Sequence, residues 1–307
     1  MFSSFFGKSK PINILIVAFL ISLVFLFAKF EHLTTNFNLY ELLKNLGLLL
    51  VAIFSVFVLD FIIGKNNLTK KNSYAILLFG LFIVLIPQSI NQTNVLFSNL
   101  FILLALRRIM SMHSKLEVKK KLVDAAFWVG IASLFYFWSI LFFILILIAL
   151  MYYSQNDIKN WIIPFIGLLV VILLVISFNI LTYNSYWTQE AIYPGIGFDW
   201  DTLNTYKTIT KLSVILSLFV IMFIPFIRIT REKINNLKPA YILIGIASII
   251  AVVITILAPI KTGAEFIFLF GPLAIITTSY LEKVKKTWIR EVIISSLVVI
   301  PLILLVL

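Results

Sequence analysis

The chain has 307 residues, of which 62% are apolar and only 12% charged, with a mean hydropathy of +1.09. A soluble globular domain is about half apolar and about a quarter charged, so these values exclude a soluble enzyme, a disordered tail and a nucleic-acid-binding domain. They leave a chain that lives mostly inside a bilayer; its formal net charge of +12 then reads as loop lysines and arginines kept on the cytoplasmic side.

Crossing about 30 Å of hydrocarbon takes roughly 20 apolar residues in a helix. The first such segment is 12–30, entered through Pro11, which a helix tolerates at its first position because its missing N–H would be unpaired there anyway. Lys8 and Lys10 precede it and Lys29-Phe30-Glu31-His32 follows, without the small-residue cleavage pattern of a signal peptide, so it reads as a retained span. Further segments follow at 42–63, 73–90, about 93–106, 161–181, 209–227, 240–257, 265–280 and 292–307. Pro87 and Pro259 are expected to mark the outer ends of their spans. Pro272, next to Gly271, is expected to kink its helix, because proline lacks the N–H and crowds the carbonyl four residues back.

The stretch 122–153 decides the topology. As one helix its 32 residues would run about 48 Å, too long for a single crossing. Turned near Phe135-Tyr136-Phe137-Trp138 it becomes a hairpin of two short helices. The later basic groups, Arg228 to Lys238 and Lys283 to Arg290, then stay on the same side as Lys8, Lys70 and Lys119. That arrangement puts 20 of the 25 basic residues inside and only Lys29, Lys44, Lys207, Lys211 and Lys261 outside. The expected fold is therefore an all-α polytopic protein, a single integral-membrane domain over 1–307 with about 11 hydrophobic helices, N-terminus cytoplasmic and C-terminus outside.

The loops are short, and no segment is long enough for a soluble domain. Residues 64–71, GKNNLTKK, lack the spacing of a phosphate loop, so an NTP-driven pump would need its motor from another chain. Gly-Ile-Ala-Ser occurs at 130–133 and again at 245–248, which reads as two small-residue faces for helix packing. The basic segment 107–121 carries Ile109, Met110, Met112, Leu116 and Val118, a pattern that would let it lie against anionic headgroups, with His113 at the surface.

Ionisable groups at membrane depth are costly and mark function by default. Asp60, in FVLDFII, is placed to snorkel or to pair with Lys65, and Asp124 reads as an acid favoured by a helix N-terminus. No mid-span series of carboxylates or histidines suggests an ion-coupled transporter. With two histidines and no cysteine, His-built and thiolate metal sites are excluded. The outer face is richer. Glu31 and His32 follow the first span, Glu41 and Lys44 open the second, and Lys261 and Glu265 flank a short loop. The loop 182–208 sets Glu190, Asp199, Asp201 and Lys207 among Tyr183, Tyr186, Trp187, Tyr193, Phe198, Trp200 and Tyr206. Flat rings cover the apolar face of a sugar and carboxylates accept its hydroxyls. The plainer reading is an interfacial aromatic belt with solvated acids. Asp199 and Asp201, two apart, would point to one side of an extended loop and suit a divalent cation.

The run LFSNLFILLALRRIM followed by KKKLVDAAFWVGIASLFYFWSILFFILILIAL resembles the middle of the integral-membrane glycosyltransferases of the C superfamily. The opening FFGKSKPINILI and the late FLFGPLAIITTSYLE make nearly the whole chain similar to an uncharacterised family of multi-pass inner-membrane proteins of Bacteroidota. The first resemblance implies transfer of a sugar from a polyprenyl-phosphate donor at the outer leaflet of the bacterial inner membrane. Its catalytic acid would lie in the first outer loop, here Glu31 with Glu41 in reserve. The loop acids Glu190, Asp199, Asp201 and Glu265, with Trp187 and Trp200, would hold the acceptor. Lys207, Lys211 and Lys261 would hold the donor phosphate. Two features depart from that pattern: the first outer loop is short, and no outer arginine offers a bidentate clamp for a lipid phosphate. The alternative is a non-enzymatic membrane subunit or scaffold of a larger envelope complex, bound to lipids and other subunits; a transporter ranks third.

The chain contains no cysteine, so single cysteines introduced at 119 and 159 report topology cleanly. Both are expected to react with a membrane-impermeant thiol reagent from the same, cytoplasmic side. Labelling from opposite sides would remove the hairpin.

Overall fold

The computed structural model describes residues 2–35, 39–153, 158–186, 195–197, 203 and 205–306, and for 2, 30–35, 158, 302 and 304–306 the backbone alone. Among the described residues every α-helix is accounted for by thirteen elements, and no strand occurs. They are α1 (Phe2–Phe6), α2 (Pro11–Thr35), α3 (Leu39–Asn66), α4 (Tyr74–Leu85), α5 (Gln88–Asn91), α6 (Thr93–Ser111) and α7 (Val118–Phe135). After them come α8 (Phe142–Tyr153), α9 (Ile163–Tyr183), α10 (Tyr206–Arg231), α11 (Lys238–Leu257), α12 (Ile267–Lys283) and α13 (Thr287–Val306). A helix satisfies its own backbone donors and acceptors, which is what an apolar medium demands of a chain this hydrophobic.

The expected apolar segments fall on helices, except that 73–90 is divided between α4 and α5, and among the described residues seven helices are long and apolar enough to cross a membrane. The segments Tyr74–Leu85 and Phe137–Tyr153 are shorter. At 1.5 Å per residue the 12 residues of α4 cover only about 18 Å. Helix α4 is correspondingly enclosed: every residue from Tyr74 to Leu85 except Val84 is buried. It packs against α2, α3, α12 and α13, and Phe79 and Phe82 set their rings 6.4 and 5.7 Å from that of Phe270 on α12. The stretch 264–283 containing α12 is 94% buried over its most apolar window, whereas the one containing α9 is 17% buried. The two helices at the centre are thus α4 and α12, with the long apolar helices around them.

The stretch 122–153 breaks at the expected turn near 135–138. Helix α7 ends at Phe135, Tyr136 is extended (φ −146°, ψ 105°), a short 3-10 turn covers Phe137–Leu141, and α8 follows in contact with α7. The basic segment 107–121 continues the fourth expected helix, here α6, for its first turn only. Helix α6 runs on to Ser111, then a 3-10 turn and the left-handed residues Lys115 and Glu117 reverse the chain into α7. The turn is held by Lys121, whose Nζ donates to the Ser111 carbonyl and the Ser114 hydroxyl, both at 2.7 Å, while Met110 and Met112 are buried beneath. These internal bonds hold the turn. Asp124 differs from expectation. It lies beyond the first turn of α7 and pairs with Arg108 of α6 at 2.8 Å, a bond between helices rather than to a helix end.

The repeated Gly-Ile-Ala-Ser segments do lie at helix contacts. A Cβ on Gly130 would come within 2.9 Å of Val171 on α9, and Gly245 on α11 faces Phe226 and Phe223 of α10. Pro87 and Pro259 fall two residues beyond the ends of α4 and α11. Helix α12 passes through Pro272 without interruption, leaving the Phe268 carbonyl without its helical donor.

Gly167 is the tightest point of the α7–α9 contact: an added Cβ would lie 2.6 Å from the Val123 carbonyl and 2.8 Å from the Ala126 Cβ. Gly167→Leu is expected to lower the thermal unfolding midpoint in detergent, at a cost of roughly 1–3 kcal/mol. Gly47→Ala, where nothing lies within 4 Å, is expected to keep or slightly raise it, alanine being the better helix former. Equal midpoints for both variants would contradict this contact.

Candidate functional site

The loops opposite the basic end converge on one another. The indole N–H of Trp138, just past the break at Tyr136, donates to the Gly195 carbonyl at 3.1 Å. Gly197 lies so close to Pro259 that a Cβ would sit 2.0 Å from the Pro259 carbonyl oxygen, so only glycine fits. Gly263 adopts φ +84°, a conformation glycine takes without strain, and starts the 3-10 turn Ala264–Phe266, which α5 contacts. The hairpin tip, residues 195–197, α5 and the loop 258–266 therefore form one surface.

Two of the expected site residues sit inside it. Lys261 is 2% exposed, and its Nζ donates to the carbonyls of Ile256 (2.6 Å), Ala258 (3.2 Å) and Thr255 (3.3 Å). These include the last carbonyls of α11, which have no helical donor and carry the negative end of the helix dipole. Burial pushes the Lys261 ammonium below the usual lysine range, and the charge of Glu265 opposes that shift. Glu265 is 4% exposed and accepts from the Thr262 hydroxyl at 2.9 Å and the Thr262 N–H at 3.3 Å. Both charges are held by bonds that shape the loop.

The sequence matches a family of unknown function, DUF6427, over residues 2–307. The chain belongs to that family. No curated protein and no solved structure matches it.

In this DUF6427 member the remaining expected residues belong to separate helices or lie outside the described set. Glu31 belongs to the last turns of α2, and its side chain is outside the described residues, as is that of His32. Glu41 lies in the first turn of α3 and pairs with Lys44 of the same helix at 3.5 Å, with both side chains partly exposed. Lys207 and Lys211 fall in the first two turns of α10, where the helix dipole disfavours cations. Trp187, Glu190, Asp199, Trp200 and Asp201, and with the two aspartates the expected divalent-cation site, lie outside the described residues. Among the described residues no group of three or more His, Asp or Glu could hold a metal ion.

Other features were not visible in the sequence. The buried side-chain atoms Gln88 Oε1, Asn99 Nδ2, Tyr136 Oη and Ser139 Oγ have no hydrogen-bond partner. The Tyr136 ring lies 5.6 Å from that of Phe268. Asp60 forms no ion pair with Lys65 and instead lines a groove with Arg107, 47 positions away in the sequence. Apolar runs carry no signal for such neighbours; only the packing of α3 on α6 brings these two to one groove.

Lys261→Met keeps the aliphatic stem and removes the donors. It is expected to destabilise the protein by about 1–3 kcal/mol, because the α11 carbonyls stay buried without partners. Lys44→Met, at an exposed i,i+3 pair, is expected to cost under about 1 kcal/mol. Thermal unfolding of the two variants in one detergent checks the difference.

Proposed function

We propose that this protein is a non-enzymatic subunit of a larger assembly in the inner membrane of a bacterium. On this reading it is built of about 11 hydrophobic helices, two of them the short hairpin of 122–153, with its N-terminus cytoplasmic and its C-terminus outside. The charge distribution and the helix break at Tyr136 support that topology.

The observation that carries the reading is the setting of α9. Its principal packing partner is α7, joined through Gly130 and Gly167, and most of its other apolar residues are exposed. Beside that contact runs a groove of about 490 Å³ lined by Ile131, Leu134, Leu174 and Phe178, with Asn179 and Tyr183 toward one end. A purely lipid-facing surface needs no amide. Asn179, 5% exposed, closes one end of that groove against α7, and small or polar residues are what hold helices together where the hydrophobic effect gives no drive. The engagement of Lys261 and Glu265 in closing their own loop fits a protein whose charges serve its architecture.

A photo-crosslinking residue at Leu174, examined in native membranes, is expected to give a discrete protein adduct; adducts to lipid alone would contradict the subunit reading. Glu31→Gln is expected to leave the phenotype of a complemented deletion strain intact. Loss of complementation by a stably expressed Glu31→Gln protein would favour the lipid-linked sugar transferase instead.

A further inference from the structure

Neighbouring arginines on α6 have different fates. Arg108 faces α7 and is bound to Asp124 at 2.8 Å. Arg107, about 100° round the helix, faces α3 and lies with its guanidinium carbon 4.5 Å from the centre of the Phe61 ring. It lines a groove of about 440 Å³ with Phe54, Phe57, Val58, Asp60 and Phe61. Neither Asp60 nor Arg107 has an ion-pair partner within 4 Å among the described residues, although the two share this groove.

Their depth is informative. Helix α3 continues six residues past Asp60 to Asn66 and α6 four residues past Arg107 to Ser111, about 9 and 6 Å respectively. Both charges therefore sit in the last two turns, toward the end of the molecule rich in lysine and arginine. Below them, Phe54 and Phe57, both exposed, extend the groove toward the middle of α3. A carboxylate and a guanidinium in a partly dry groove, not paired with each other, match a ligand that carries both opposite charges. The phenylalanines match a ligand that also carries an apolar chain.

We infer that the groove between α3 and α6 binds one phospholipid with an ethanolamine headgroup, its phosphate on Arg107, its ammonium on Asp60 and an acyl chain along Phe54 and Phe57. Arginine's planar fork engages two phosphate oxygens at once. A primary ammonium donates directly to a carboxylate. A choline headgroup has no N–H to donate, and a glycerol headgroup brings no cation to Asp60. The site thus selects among phospholipids by its acid and retains them by its base.

The test uses the full-length protein in detergent, incubated with an equimolar mixture of ethanolamine, choline and glycerol phospholipids of identical chains and read by native mass spectrometry. The wild type is expected to retain the ethanolamine lipid roughly tenfold over each of the others, one charge-assisted hydrogen bond's worth. Asp60→Asn is expected to abolish that preference while still retaining phospholipid, and Arg107→Gln to lower retention of all three. Asp124→Asn, which breaks the neighbouring ion pair on the far side of α6, is expected to keep the wild-type preference. Thermal unfolding of each variant in lipid-free detergent separates loss of binding from loss of fold; should Arg107→Gln not fold, the Asp60→Asn selectivity alone decides. Equal retention of the three lipids by the wild type, or an unchanged preference in Asp60→Asn, would overturn the inference.

Discussion

A backbone N–H or C=O facing hydrocarbon without a partner costs several kcal/mol, and the whole arrangement answers to that constraint. Helix α4 shows it most plainly. Only 12 residues long and apolar on every side, it is surrounded by protein, so that its ends, at Ser73 and Ile86, are met by other residues rather than by lipid. The Ser73 N–H reaches the Phe6 carbonyl and its hydroxyl takes the Asn13 amide at 2.9 Å. Helix α12 stands beside it and is buried almost throughout, with Thr277 and Thr278 fully enclosed. These two helices form the centre; α2, α3, α10, α11 and α13 pack around it.

The same constraint accounts for the use of charged residues in the loops. Buried helix ends need donors and acceptors, and long polar side chains supply them. Lys261 serves α11 and Lys121 serves the turn after α6. Glu282, in the last turn of α12, accepts from the Lys70 N–H at 2.6 Å and the Asn72 amide at 2.5 Å, tying the α3–α4 loop to it. Arg290 donates to the Val284 carbonyl at 3.0 Å where the chain passes from α12 to α13. Asp60 and Arg107 stand apart from this pattern: charged, close to the same groove and committed to no internal bond, they are the pair left available for a ligand.

Several of these features could be read from the sequence because they are local. Helices follow from apolar length, the break at Tyr136 from the excess length of 122–153 together with the charge distribution, and the packing role of Gly130 and Gly245 from their small neighbours. Features that depend on tertiary packing were hidden. Helices α4 and α9 are both runs of leucine, isoleucine, valine and phenylalanine, yet one is enclosed and the other largely exposed. Composition reports affinity for an apolar medium, and protein interior and lipid are both apolar. The pairing of Arg108 with Asp124 and the meeting of Arg107 with Asp60 depend on which helices become neighbours. Lys261 read as a phosphate ligand because its sequence neighbours give no sign that three carbonyls converge on it. Of the acids and rings expected to form a sugar site, those that fall on described residues are engaged in local bonds or spread over separate helices.

Helices α4 and α12 form the interior of this fold while longer apolar helices form its exterior. Hydrogen–deuterium exchange of the full-length protein in lipid nanodiscs tests it most directly, because the bilayer protects outer helices from water but does not prevent them from opening individually when denaturant is added. As denaturant rises, amides of Leu77 to Phe82 and of Ala274 to Ser279 should be the last to exchange, and together, with those of α9 opening earlier. Exchange of the α4 amides before those of α9 would contradict the account.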